Sequence, residues 1–207
     1  MAKLYFFYSA MNAGKTTSLL QSDYNYRSKG MNTLLFTSSQ DHRSGVGVIR
    51  SRIGLEREAI AIGEDFDILD YTAQQVQQNP IHCVFVDEAQ FLNAKQVLQL
   101  TLICDRLNIP VLTYGLRTDF RGEPFEGSKY LLAWAEELVE VKTVCRSGRK
   151  ATMSARLNAD GKRVLEGKQI DIGFHYEPLS RHIFDLAEGT AIDYQLPHSL
   201  HDLEEGK

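Results

Sequence analysis

Short apolar runs alternate along this chain with longer segments of helical period. Lys3-Leu4-Tyr5-Phe6-Phe7-Tyr8, Thr33-Leu34-Leu35-Phe36-Thr37, His82-Cys83-Val84-Phe85-Val86-Asp87, Pro110-Val111-Leu112-Thr113-Tyr114 and Leu138-Val139-Glu140-Val141 each read as a strand. Continuous apolar character is what a strand covered on both faces requires. Between these runs, residues 66–78 can form a helix that stops before Pro80. Residues 94–107 form an amphipathic helix, and residues 131–135 look helical. The alternation predicts an α/β fold, a parallel sheet with helices on both faces. Ligands of such sheets bind at the carboxyl ends of the strands.

The texture changes after residue 142. Gly148, Gly161, Gly167, Gly173 and Gly189 punctuate short β-like pieces. Residues 1–142 therefore read as the main domain and 143–195 as a small second one. Residues 196–207 form a polar tail with Asp202, Glu204 and Glu205, expected to be disordered. A length of 207 residues suits one domain with such an annex.

Composition narrows the partners. The formal net charge of −4 argues against a dedicated nucleic-acid binder, and the basic group Arg146, Arg149 and Lys150 is too small to reverse that. Cys83, Cys104 and Cys145 are few and far apart, a reducing-compartment pattern rather than a disulfide framework. The apolar runs are strand-sized, so neither a signal peptide nor a membrane span is expected. The expectation is a cytoplasmic protein that holds small anions in a pocket.

Two motifs fall at strand carboxyl ends. Ser9-Ala10-Met11-Asn12-Ala13-Gly14-Lys15-Thr16 follows the first strand and opens a helix-like stretch. It is the phosphate-loop pattern G-x-x-x-x-G-K-[ST] with Ser9 in place of the first glycine. Backbone N–H groups of such a loop surround phosphate oxygens, the lysine reaches the β- and γ-phosphates, and the hydroxyl holds Mg²⁺. A chance A-G-K-T match is the competing reading. The second motif is Val84-Phe85-Val86-Asp87-Glu88, an apolar strand ending in two carboxylates. Asp87 suits the metal, and Glu88 is placed to take a proton from an attacking group. The plainer reading is that the pair caps the next helix. A third stretch, residues 115–127, mixes Phe120 and Phe125 with Arg117, Arg121 and several glycines. It reads either as a substrate-wrapping loop or as a surface loop with its aromatics in the core. On these residues alone the acceptor can be a metabolite or water, so a P-loop ATPase or switch protein stays open.

Together with Val86-Asp87-Glu88-Ala89-Gln90-Phe91 and Tyr114-Gly115-Leu116-Arg117-Thr118-Asp119-Phe120-Arg121-Gly122, the loop resembles the thymidine kinases of the cellular and bacterial type. The resemblance runs from about residue 3 to 184. It implies a RecA-like P-loop fold with a lasso-bearing second domain, and transfer of the ATP γ-phosphate to thymidine. It assigns Ser9, Ala10, Met11, Asn12, Ala13, Gly14, Lys15, Thr16, Asp87, Gln90 and Arg43 to ATP and its phosphates. Thr16 and Asp87 would serve Mg²⁺, and Glu88 would be the general base. Met11, Phe91, Leu116, Phe120, Phe125, Gly173 and Tyr176 would line the nucleoside pocket, with residues 154–176 as the lasso. It further implies a homotetramer and feedback inhibition by dTTP.

One departure stands out. The family carries a structural zinc at the base of the lasso. Here only Cys145 is retained, with Ser147, Ser180 and Ile183 at the other ligand positions. Structural zinc is therefore not expected, since it needs four good nitrogen or sulfur ligands. The segment Ile172-Gly173-Phe174-His175-Tyr176 is also two residues shorter than the family pattern.

Overall fold

All five expected strands join one sheet, with a sixth that the pattern did not show. A computed structural model describes residues 1–41, 45–169 and 174–186. In chain order the main elements are β1 (Leu4–Ser9), α1 (Lys15–Arg27), β2 (Thr33–Ser38), β3 (Val48–Arg50), β4 (Glu56–Glu58), β5 (Ile60–Ile62), α2 (Ile68–Gln78), β6 (Cys83–Asp87), α3 (Ala94–Leu107), β7 (Val111–Leu116), α4 (Glu126–Trp134) and β8 (Glu137–Glu140). A 3₁₀ turn, Ala89–Phe91, separates β6 from α3. The sheet order is β5-β2-β6-β7-β1-β8, and every pairing in it is parallel.

Alternation within the strands sorts the core into two layers. Leu34, Phe36, Val84, Val86, Leu4, Phe6 and Val111 face Ile68 of α2, Val97, Leu100 and Ile103 of α3, and Leu131 of α4. Leu35, Cys83, Phe85 and Tyr114 face the other way, toward Leu19 and Leu20 of α1 and Ile49 of β3. Residues of the central strands β2 and β6 are thus buried on one side or the other, which is why those runs read as continuously apolar.

Caps fix the helices. Asp67 accepts from Asp70 N at the start of α2. Asn93 and Gln96 form a reciprocal capping box at the start of α3. Near its far end α1 is held by Asp23, a buried carboxylate that accepts from Thr33 Oγ1 at 2.6 Å and Arg27 Nε at 2.9 Å, with Arg57 Nε 3.6 Å away. That cluster ties the helix behind the phosphate loop to β2 and β4. A buried carboxylate needs such partners to offset its lost hydration.

Three local features escaped the sequence pattern. β3, β4 and β5 are three residues each, too short to show alternation. The fourth helix begins at Glu126, five residues before the expected 131, because Gly127 and Ser128 are weak helix formers. Gly127 is nonetheless required by space: a Cβ there would lie 2.4 Å from Ala89 O and 2.8 Å from Leu92 O. The start of α4 therefore rests directly on the backbone that follows Glu88.

The second region has its own small core. β9 (Thr143–Val144) pairs with β10 (Lys150–Ala151), and β11 (Met153–Leu157) pairs with β12 (His175–Leu179), both antiparallel. With α5 (Arg181–Phe184) they bury Cys145, Ala151, Met153, Ala155, Leu179 and Phe184 together. The polar tail, 196–207, lies outside the described residues.

Gly127→Ala forces backbone apart where α4 meets the 3₁₀ turn. It should destabilise the fold by about 1–3 kcal/mol, the usual cost of overpacking. A lower midpoint in urea unfolding checks this, with Gly63→Ala, whose Cβ would meet only Ser39 Oγ at 3.9 Å, as the comparison without a clash.

Candidate active site

β7 lies between β1 and β6, so the loop after β1 and the carboxylates after β6 end on the same edge. Ser9 pairs with Leu116 and Thr37 with Asp87, which brings four strand ends together. In the loop, Asn12 (φ 63°) and Gly14 (φ 85°) take left-handed conformations. Gly14 is the N-cap of α1 and offers no side-chain cap, so the first N–H groups of the helix face the loop's own cavity. That cavity, about 440 Å³, is lined by Met11 to Thr17 and by Asp87 and Glu88.

Ser9 and Ala10 lie beneath this cavity, not in its wall. The serine that replaces glycine has a specific contact: its hydroxyl accepts from Lys15 Nζ at 2.8 Å and donates to Ala10 O at 2.6 Å. Lys15 Nζ also reaches Ala10 O at 3.2 Å. Thr16 Oγ1 donates to Asp87 Oδ2 at 3.1 Å. Burial, and then the adjacent Glu88 carboxylate, hold Asp87 well above the usual carboxylate range, against the Thr16 hydroxyl and the Lys15 ammonium. A carboxylate held in this way beside a hydroxyl is a donor set that suits a hard divalent cation. Glu88, at the N-cap position of the 3₁₀ turn, makes no side-chain cap, and α3 is capped by Asn93.

Glu88 sits at φ 51°, left-handed for a non-glycine residue. It lines both the phosphate cavity and a second cavity of about 210 Å³. The second cavity is walled by Met11, Phe91, Leu116, Phe120, Phe125 and Tyr176, all six of the described residues expected for a nucleoside. Phe120 and Phe125 are buried, and both also border this cavity. Phe91 and Phe125 meet edge to face at 5.7 Å. Gln90, expected near the phosphates, borders this second cavity instead, with its amide engaged by protein groups. Arg43 and Gly173 lie outside the described residues.

Sequence reasoning missed several residues here. Arg52, exposed in the turn between β3 and β4, lines both cavities, as does Asp41. No motif marks either one. Asp119 is buried and accepts from Arg121 N at 2.8 Å, Glu123 N at 3.0 Å, the Arg121 guanidinium and Gln169 Nε2 at 3.2 Å. It shapes the 117–124 turn from within.

Arg156 is the largest fully buried side chain. Its guanidinium lies 3.8 Å from the centre of the Phe120 ring. Nε donates to Tyr176 Oη at 2.9 Å, and one terminal nitrogen, Nη2, donates to both Lys168 O at 2.8 Å and Gln169 O at 3.3 Å. Arg156 thus joins both ends of the expected lasso to an aromatic wall of the second cavity. The signal was one arginine in an otherwise small and apolar run, Met153-Ser154-Ala155-Arg156-Leu157. Ser154 adds a further link, accepting from Met11 N at 3.0 Å.

The place of the family's zinc is assembled from poor ligands. Cys145 is buried, and burial pushes its thiol up, but the backbone and hydroxyl groups of Ser147 and Ser180 around it outweigh this and bring it down to about 7. Ile183 packs against the same small core. One thiol, two hydroxyls and an alkyl group do not fit a structural zinc. Among the described residues, no three His, Cys, Asp or Glu side chains gather as a metal site. Nor is any helix among them long and apolar enough to cross a membrane.

Comparison with known proteins identifies the family. The family model described as thymidine kinase matches residues 2–184. The thymidine kinase of Zymomonas mobilis is 58% identical over 173 residues, covering 84% of this chain and 90% of that protein. The thymidine kinase of Pasteurella multocida shows the same identity and coverage. That of Shewanella oneidensis is 55% identical over 186 residues, 89% of this chain and 97% of that protein.

Replacing Arg156 by Met leaves Tyr176 Oη and two carbonyls without their donor. All three acceptors lie on half-buried or exposed residues, and hydrogen bonds to a charged group contribute about 1.5–3 kcal/mol. Residues 158–169 should then be cut by trypsin or thermolysin at least ~10-fold faster, the rate equivalent of the lower end of that range. Arg156→Lys should restore little, because an ammonium cannot span the three acceptors.

Proposed function

Because the chain belongs to the thymidine kinase family, we propose that it transfers the γ-phosphoryl group of ATP to the 5′-hydroxyl of deoxythymidine, giving dTMP. One observation carries the reading. Glu88 stands where a phosphate cavity and an aromatic-walled cavity meet, so a base is available between donor and acceptor.

The roles follow from position. The loop from Met11 to Thr16 and the start of α1 hold the phosphate chain. Lys15 stabilises negative charge on the transferring group. Thr16 and Asp87 would hold Mg²⁺, which when bound neutralises charge on the β- and γ-phosphates. Phe91, Phe120, Phe125 and Tyr176 hold the base and leave the 5′-oxygen toward Glu88. Glu88 accepts the hydroxyl proton as the oxygen bonds to the γ-phosphorus and the bond to the β-phosphate oxygen breaks, releasing ADP. Arg52, at the same junction, offers a cation to the transferring phosphoryl. Most of the rate then comes from positioning and electrostatics.

Other parts of the reading rest on the family. They are a nucleotide-binding domain over 1–142 with a lasso domain over 143–195, inhibition by dTTP in the same site, and a homotetramer in the cytoplasm. Exposed Leu138 and Val139 on the edge strand β8 support association between copies. The net charge of −4 supports small-molecule partners over nucleic acid.

Glu88→Gln should lower kcat for thymidine by ~10²–10⁴, the usual contribution of a general base, with ATP binding retained. Formation of labelled dTMP from thymidine, ATP and Mg²⁺ measures it. Turnover at the native rate would refute the assignment. ATP hydrolysis that needs no nucleoside would instead point to an ATPase.

Lys15→Ala and Asp87→Ala should both lose phosphoryl transfer, for different reasons. Lysine meets phosphate directly, whereas the aspartate acts through the metal. Raising Mg²⁺ should partly restore only Asp87→Ala, read from kcat against metal concentration. Equal recovery of both variants contradicts this division.

A further inference from the structure

Gln90 follows Glu88 by two residues and is buried, with 1% of its surface exposed. Its side chain spans two groups on opposite sides of the site. Oε1 accepts from the backbone N–H of Leu116 at 3.0 Å, and Nε2 donates to Glu88 Oε2 at 2.5 Å. The orientation of the amide is forced. Leu116 N–H can only donate, so oxygen must face it, which turns the NH₂ group to the carboxylate. We propose that Gln90 is a positioning residue that holds the Glu88 carboxylate in the orientation required for proton abstraction, anchored on the end of β7.

The surroundings are built for this contact. Glu88 occupies a left-handed conformation, so its backbone alone gives it no ordinary resting geometry. Gly115 makes room for the amide: a Cβ there would lie 2.8 Å from Gln90 Oε1 and 3.0 Å from Gln90 N. Gly127 at the start of α4 leaves room on the other side: a Cβ there would lie 3.0 Å from Gln90 O. The glutamine is thus clamped at its backbone and at both ends of its amide. The anchor also has meaning for the substrate, because Leu116 lines both cavities. Base and pocket wall share one side chain, so they keep a fixed relation.

This rests on Glu88 being the base, and the experiment separates the two assignments. Gln90→Glu keeps an acceptor for Leu116 N–H but sets a carboxylate against Glu88. Gln90→Met removes both contacts, and Gly115→Ala displaces the amide without touching it chemically. Each should lower kcat roughly 10- to 100-fold, the worth of a hydrogen bond to a charged group expressed as a rate, with KM for thymidine little changed. Glu88→Gln with Gln90→Met should be no slower than Glu88→Gln alone, because the second change acts only through the first. Thermal melting of each variant with ATP and Mg²⁺ establishes that it is folded. A Gln90→Glu enzyme with native kcat would reduce the glutamine to a cap for Leu116 and overturn the proposal. So would losses that add fully in the double variant, or a change confined to KM, which would mark direct contact with the nucleoside. Native turnover by Glu88→Gln would instead remove the base, and the positioning role with it.

Discussion

The site depends on one arrangement in the sheet: β7 separates the phosphate-loop strand from the carboxylate strand. In a parallel sheet all carboxyl ends point the same way, and neighbouring strands lie about 5 Å apart. Two strands on either side of a third therefore deliver their terminal loops within about 10 Å of each other. That is the scale on which a hydroxyl on Thr16 can meet Asp87, 71 residues later in the chain. The two apolar layers hold the strands in this order. Without α1 on one face and α2, α3 and α4 on the other, the hydrogen-bonded edge would have nothing to fix it.

Strands and motifs were legible because they are made by local patterns. A run such as Val84-Phe85-Val86 is apolar at every position, since each side chain faces one of two cores. The phosphate loop is read from its glycine and lysine because backbone geometry permits few alternatives there. The short strands β3, β4 and β5 were not legible, since three residues show no period. Arg52 and Asp41 reach the cavities by tertiary placement alone, and nothing near them in the chain announces it. Gln90 was visible in its motif, but its contact is with Leu116 and its own neighbour rather than with phosphate. The two partners of one amide cannot be read from spacing.

The second region poses a different physical problem. It is small, so its core of six buried side chains contributes little on its own. Directional contacts add to that core. Arg156 crosses between strands and carbonyls, and oxygen dipoles and the Phe120 ring offset its charge. Arg117 donates to Thr152 O from the main sheet, joining the two regions at a second point. A guanidinium suits this work, since its planar fork can hold several acceptors at once.

The bond from Met11 N to Ser154 Oγ places one phosphate-loop amide in the keeping of the second region. Met11 also borders both cavities. Occupants of the two cavities are then linked thermodynamically through a shared residue. Any free energy by which an occupant of one cavity favours filling of the other must be returned in full in the opposite direction. Such reciprocity leaves the order in which the two cavities fill to kinetics, while their joint occupancy has a single free energy.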